Sequence, residues 1–199
     1  MKKTSLFSKL FLGAAVVTMS FGAVSCKDNK PEDSKEAAED QNETKFDDTN
    51  EAKEDDSQYL VGAAEMDLKE IELGKLAQTK STNADVKAFG KMMVDMHTKS
   101  YDALKTTSSA KNISIPLALT DKGNEAFTEL NDKSGWDFDK AYADKMVKGH
   151  ENAIDEMKKA SEKATDPDVK QWAANMIPSL NAHLEQSKAL QAKVDAMKK

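Results

Sequence analysis

From residue 58 onward, apolar residues recur every three or four positions, the spacing that lines one side of an α-helix. Four long segments carry this pattern. The first, about 58–80, brings Leu60, Ala64, Leu68, Ile71 and Leu76 near one face. The second follows Ser81-Thr82-Asn83, residues suited to a turn and an N-cap. It carries Val86, Phe89, Met93, His97, Tyr101 and Leu104. The third follows Gly135-Trp136, with Asp137 as its cap, and carries Phe138, Tyr142, Met146, Val147, His150, Ile154 and Met157. The fourth follows Thr165-Asp166-Pro167, a capping aspartate with proline in the first turn. Its stripe includes Val169, Trp172, Met176, Leu180, His183, Leu184, Leu190 and Val194, and Pro178 inside it predicts a kink. Between the second and third helices, Asn112 to Leu119 reads as a non-helical crossing and Thr120 to Leu130 as a short extra helix. Short turns within each pair make antiparallel hairpins. The pattern predicts an all-α domain over 58–199, an up-down four-helix bundle.

The first 57 residues break this pattern. Lys2, Lys3 and Lys9 precede a short apolar run from Leu10 to Val24, too short to span a bilayer comfortably. Small residues end the run, and Cys26 stands just before a charged stretch. The segment resembles a bacterial lipoprotein signal, residues 1–25, with Cys26 lipidated and becoming the new N-terminus. The position usually held by leucine in such signals is Ala23. An ordinary cleaved signal with an incidental thiol is the other reading. Lys27, where an aspartate would favour retention in the inner membrane, favours the outer membrane and leaves its face undecided. Residues 26–57 follow as a tether. From 27 to 57 there are five lysines against thirteen acidic residues, and Phe46 is the only large apolar side chain. Such a stretch buries too little surface to offset the entropy of ordering, so it is expected to stay disordered.

Charge then separates the two regions. The whole chain carries −6, with 29 basic and 35 acidic residues. Once the three lysines of the signal are set aside, nearly all the acidity belongs to the tether. All 29 bases are lysine. Without arginine, an acidic chain lacks the usual donors for phosphate neutralisation and guanine readout, so no nucleic-acid partner is expected. A single cysteine excludes a disulfide framework and a cysteine-based zinc site. No phosphate-cradling GxxxxGK, GxSxG elbow or HExxH occurs, so no catalytic residue is assigned and no substrate is implied.

The three histidines change the picture. His97, His150 and His183 fall on the apolar stripes of three different helices. His97 lies about fifteen residues from the first hairpin turn, and His150 and His183 about sixteen from the second. Both turns lie at one end of an up-down bundle, so the three imidazoles share a depth of roughly 22–25 Å. Three level imidazoles suit one divalent metal ion, whether zinc, iron or copper. The first helix offers Glu65 and Glu72 as further ligands, Glu65 nearer the right height. The alternative places both glutamates at a solvated edge and the histidines in a purely structural core. No Glu-x-x-His motif precedes any histidine, so carboxylate-bridged di-iron chemistry is not supported. Met93 and Met146 stand four before His97 and His150, as copper-compatible thioethers or as core filling. Asp95, Asp144 and Glu151 are near in sequence, either supporting the histidines or solvated.

The segments EIELGKLAQTKSTNADVKAFGKMMVDMH, GWDFDKAYADKMVKGHENAI and IPSLNAHLEQSKAL are similar to those of the bacterial domain-of-unknown-function family 4142. The similarity spans about 59–194. The resemblance implies a ferritin-like helical bundle in an outer-membrane or periplasmic protein, and implies little about activity. The family pattern ends its second helix with an aspartate-histidine pair. Here Met96 intervenes, so that role would pass to Asp95 or be lost. Two expectations follow: an envelope-anchored module holding one metal ion, or a structural, partner-binding protein with no metal and no active site. The identity of a protein partner is not legible.

Overall fold

The structure is a computed structural model that describes residues 32–46 and 50–197. The signal reading of 1–25, Cys26 and the start of the tether lie outside the described residues. The chain is all-α there, with six helices: α1 (Ser34–Phe46), α2 (Glu51–Lys80), α3 (Ala84–Ala110), α4 (Asp121–Asn131), α5 (Gly135–Lys163) and α6 (Pro167–Ala196). Among the described residues no helix is long and apolar enough to cross a membrane.

The helix boundaries follow from capping chemistry. Asn83 accepts a hydrogen bond from the Asp85 amide, Thr120 from Gly123, and Asp166 from Asp168 and Val169. Each satisfies amide groups that a helix N-terminus leaves open. α5 opens three residues earlier than a cap at Asp137 would place it, with Ser134 at the cap position and Gly135 at φ +56°, a conformation glycine takes without strain. Asp137 instead occupies its first turn, favourably placed toward the helix dipole.

The three-residue links 81–83 and 164–166 fold α2 onto α3 and α5 onto α6 as the two most extensive helix pairs. α2 is the hub: α1, α3, α4 and α5 all pack against it. At the α2–α3 crossing, a Cβ on Gly74 would stand 2.7 Å from the Gly90 carbonyl, and one on Gly90 2.8 Å from the Gly74 carbonyl. Only glycine at both positions allows the two backbones to approach this closely.

The expected tether is largely structured. Residues 34–46 form α1, with Ala38, Asn42 and Phe46 buried, and α2 begins at Glu51 rather than near residue 58. Polar side chains supply the docking that composition hides. Asn42 clamps the Ser114 backbone, donating to its carbonyl at 2.8 Å and accepting from its amide at 2.7 Å. Asp56, 2% exposed, accepts from the amides of Thr165 and Asp166 and so fastens α2 to the α5–α6 turn. Phe46 inserts into the apolar core, with the Lys53 ammonium 4.7 Å above its ring.

The apolar interior falls into two clusters. One contains Leu60, Ala64, Ile71, Tyr101, Leu104, Ile154, Met157, Leu180 and Leu184. The other contains Leu73, Leu76, Phe89, Met93, Phe138, Tyr142, Met146, Leu190 and Val194. Along α3 the change from one to the other comes between Met93 and Tyr101, and along α5 between Met146 and Ala153. His97 and His150 sit in those gaps.

Candidate metal centre

α3, α5 and α6 each bring one histidine into the interior. His97 is 2% exposed, His150 1% and His183 7%. Their ring centroids stand 5.7, 5.7 and 5.4 Å apart. One ligand nitrogen from each lies within 4.8 Å of the other two. Three points so spaced have a common point no more than about 2.8 Å from each, against about 2.0–2.1 Å for a zinc–imidazole bond. Modest side-chain rotation closes that difference.

The far sides of two rings are fixed. The His97 Nδ1–H donates to Asp67 Oδ1 at 2.7 Å, and the His150 Nδ1–H donates to the Met146 carbonyl at 2.8 Å. Each bond selects the tautomer whose bare Nε2 is the lone-pair donor, the arrangement metal-binding histidines use. Burial lowers the His150 pKa to about 4, with the charges of His97 and Lys69 adding to it and the Met146 bond opposing it. Burial also lowers His183 to about 4, helped by the other two histidines. Both rings are therefore neutral at physiological pH, the protonation state a metal requires.

Glu65 and Glu72 do not join this group. Glu65 accepts from the Lys35 ammonium at 3.0 Å and from the Thr120 hydroxyl at 3.2 Å, tying α1 and the α4 cap to α2. Glu72 pairs with Lys75 on the exposed side. At 3.6 residues per turn, both lie about 140–160° around α2 from Asp67 and Glu70, which are the carboxylates placed inside. Asp95 pairs with exposed Lys91, Asp144 with Lys140 and Gln191, and Glu151 is exposed. The carboxylate beside His97 thus comes from α2 and not from its own helix. Met93 and Met146 are fully buried in the second apolar cluster.

Glu70 is 1% exposed and Asp67 1%. Burial raises the Asp67 carboxyl above its ordinary value, opposed by the hydrogen bond and charge of His97. Burial raises Glu70 as well, opposed only by the charges of Lys69 and His97. Gly149 makes room for Glu70: a Cβ there would lie 3.0 Å from Oε1. The phenol of Tyr142 is pushed well up by burial and by the Glu70 charge. Among the described residues, the buried side-chain polar atoms without a hydrogen-bond partner are Asp67 Oδ2, both Glu70 oxygens, His97 Nε2, Tyr142 OH, His150 Nε2 and His183 Nδ1. All are side chains of the histidine cluster or of the α2 acids and tyrosine linked to it by charge. Buried polar groups are nearly always satisfied, so a concentration of this kind marks a place built for something else.

No curated protein and no solved structure matches the chain. The model of a family described as a domain of unknown function, DUF4142, matches residues 41–190, which takes in all three histidines, Asp67, Glu70 and Tyr142. The chain belongs to the DUF4142 family.

Proposed function

We propose that this protein is an envelope lipoprotein, anchored through a lipid on Cys26, whose folded part is a ferritin-like four-helix bundle that holds one divalent transition-metal ion at His97, His150 and His183. One observation carries the metal reading: three buried imidazoles converge, each with a ring nitrogen that nothing else engages. A structural role would require those nitrogens to be satisfied within the core, and they have no partner there. Imidazole ligation is compatible with zinc, iron or copper. The bundle reading rests on the four long helices, paired as α2–α3 and α5–α6. The envelope reading rests on the lysines, apolar run and cysteine of residues 1–26.

Elemental analysis of the full chain, compared with a His97→Ala/His150→Ala/His183→Ala variant, tests the site. We expect about one equivalent of metal per chain in the parent and none in the variant. Equal content in the two proteins overturns the reading. A single His183→Asn variant, a milder change, gives the same comparison if the triple variant does not fold. Anchoring is tested by incorporation of labelled palmitate, expected in the parent and lost in Cys26→Ser.

A further inference from the structure

Three neutral imidazoles bind a cation without compensating its charge. In a buried site that matters: transferring an uncompensated ion out of water costs several kcal/mol even after relaxation. We propose that Glu70 is the fourth, anionic ligand of this cation, so that His97, His150, His183 and Glu70 form one set with Asp67 as the outer counter-charge. The proposal rests on the metal reading above and adds to it a fourth ligand and the physical reason the ion is divalent.

Three features of Glu70 support this. Its carboxylate is buried in an interior that offers neither oxygen a hydrogen bond. A buried carboxylate with no partner is among the costliest arrangements a core can hold, and it calls for a missing cation or a proton. Second, its placement is specific. Glu70 is three residues from Asp67 on the inner side of α2, within electrostatic reach of His97, and its Oε1 lies over Gly149, next to His150. Third, no hydrogen bond holds it in place. Asp67 is held by His97, whereas no bond restrains Glu70. The nitrogen triangle is formed by the histidines alone, so Glu70 reaches the ion by turning its own side chain. Tyr142, whose hydroxyl is also buried without a partner, is the donor available to the carboxylate oxygen turned away from the ion.

Counting charges gives the selectivity. A dication with ionised Glu70 and Asp67 is neutral overall, whereas a monovalent ion such as Cu(I) leaves one negative charge buried. Replacing Glu70 by glutamine reverses that preference: the dication is left with one uncompensated positive charge, and Cu(I) becomes neutral.

The experiment titrates Co(II), and separately Cu(I) under anaerobic reducing conditions, into the metal-free full chain and its Glu70→Gln variant. Glutamine is nearly isosteric and removes a buried charge, so the fold is retained; helicity by circular dichroism checks it. We expect Co(II) affinity to fall about 100-fold or more in Glu70→Gln, with an altered visible spectrum of the bound ion, while Cu(I) affinity is unchanged or higher. Identical Co(II) affinity and spectrum in parent and Glu70→Gln overturn the role of Glu70 and leave the three-histidine site standing. No Co(II) binding by the parent overturns both.

Discussion

His97 depends on a residue thirty positions earlier. The Asp67 carboxylate fixes the ring's tautomer and orientation and raises the basicity of the nitrogen left for a metal. Asp67→Asn keeps an acceptor but loses the charge. It should weaken Zn(II) or Co(II) binding about 10–100-fold without abolishing it, as measured by chelator competition. pH tests the same neighbourhood. His150 and His183 titrate near 4 in the fold and near 6.5 when unfolded, so the unfolded chain takes up protons first on acidification. Their contribution to stability is complete above pH 6.5 and is lost as pH falls toward 4, at most about 3 kcal/mol for each. Glu70 acts in the opposite sense: its raised carboxyl favours the fold below its unfolded value of 4.5, and that contribution is lost as pH rises. The two opposing trends overlap in the range that opens at pH 4.5. Metal-free Glu70→Gln should therefore lose stability more steeply on acidification than the metal-free parent, measured by urea midpoints across that range. Parallel slopes would mean that Glu70 does not titrate there. Sequence reasoning found the histidines because three similar distances from two turns fixed their depth. It missed Asp67, although that residue is also about fifteen positions from its turn. The reason is azimuth: a single apolar stripe on α2 points to Glu65 and Glu72, about 140–160° around the helix from Asp67 and Glu70.

A single stripe fails at the scale of the element. α2 is contacted by α1, α3, α4 and α5, and a helix surrounded on several sides has no single buried face to read from its pattern. Helices packed from fewer sides, α3 and α5, show their stripes plainly, and their buried residues match the periodicity. The caps at Asn83 and Asp166 are legible because they are local chemistry. α1 is not. Its docking rests on Phe46 and on bonds from Asn42 and Lys45 to Ser114, 69 to 72 positions away, which no local composition encodes. Asn42→Ala leaves the Ser114 amide and carbonyl without their partners, a change of about 1–3 kcal/mol. We expect amide exchange in residues 34–46 to accelerate while α5 and α6 keep their protection, as read by hydrogen–deuterium exchange. Unchanged exchange in α1 would show that the clamp contributes nothing.

For the molecule as a whole, an ion bound only by the folded state stabilises it in proportion to the logarithm of its concentration. At a hundred times the dissociation constant the gain is about 2.7 kcal/mol, which for a chain of this size raises Tm by roughly 5–10 °C. Differential scanning fluorimetry with Zn(II) should show that rise in the parent and none in the triple-histidine variant. The division of the interior into two apolar clusters, with His97 and His150 at the boundary along α3 and α5, has one more consequence. Each half owns its hydrophobic contacts, and the stratum between them, left empty, contributes repulsion and missing bonds instead of cohesion. Metal-free protein should then melt as two loosely linked halves, with a calorimetric enthalpy larger than the van't Hoff value. An ion riveting three helices at that seam would merge the halves into one cooperative unit, so that the sharpness of melting, apart from its temperature, reports whether the seam is filled.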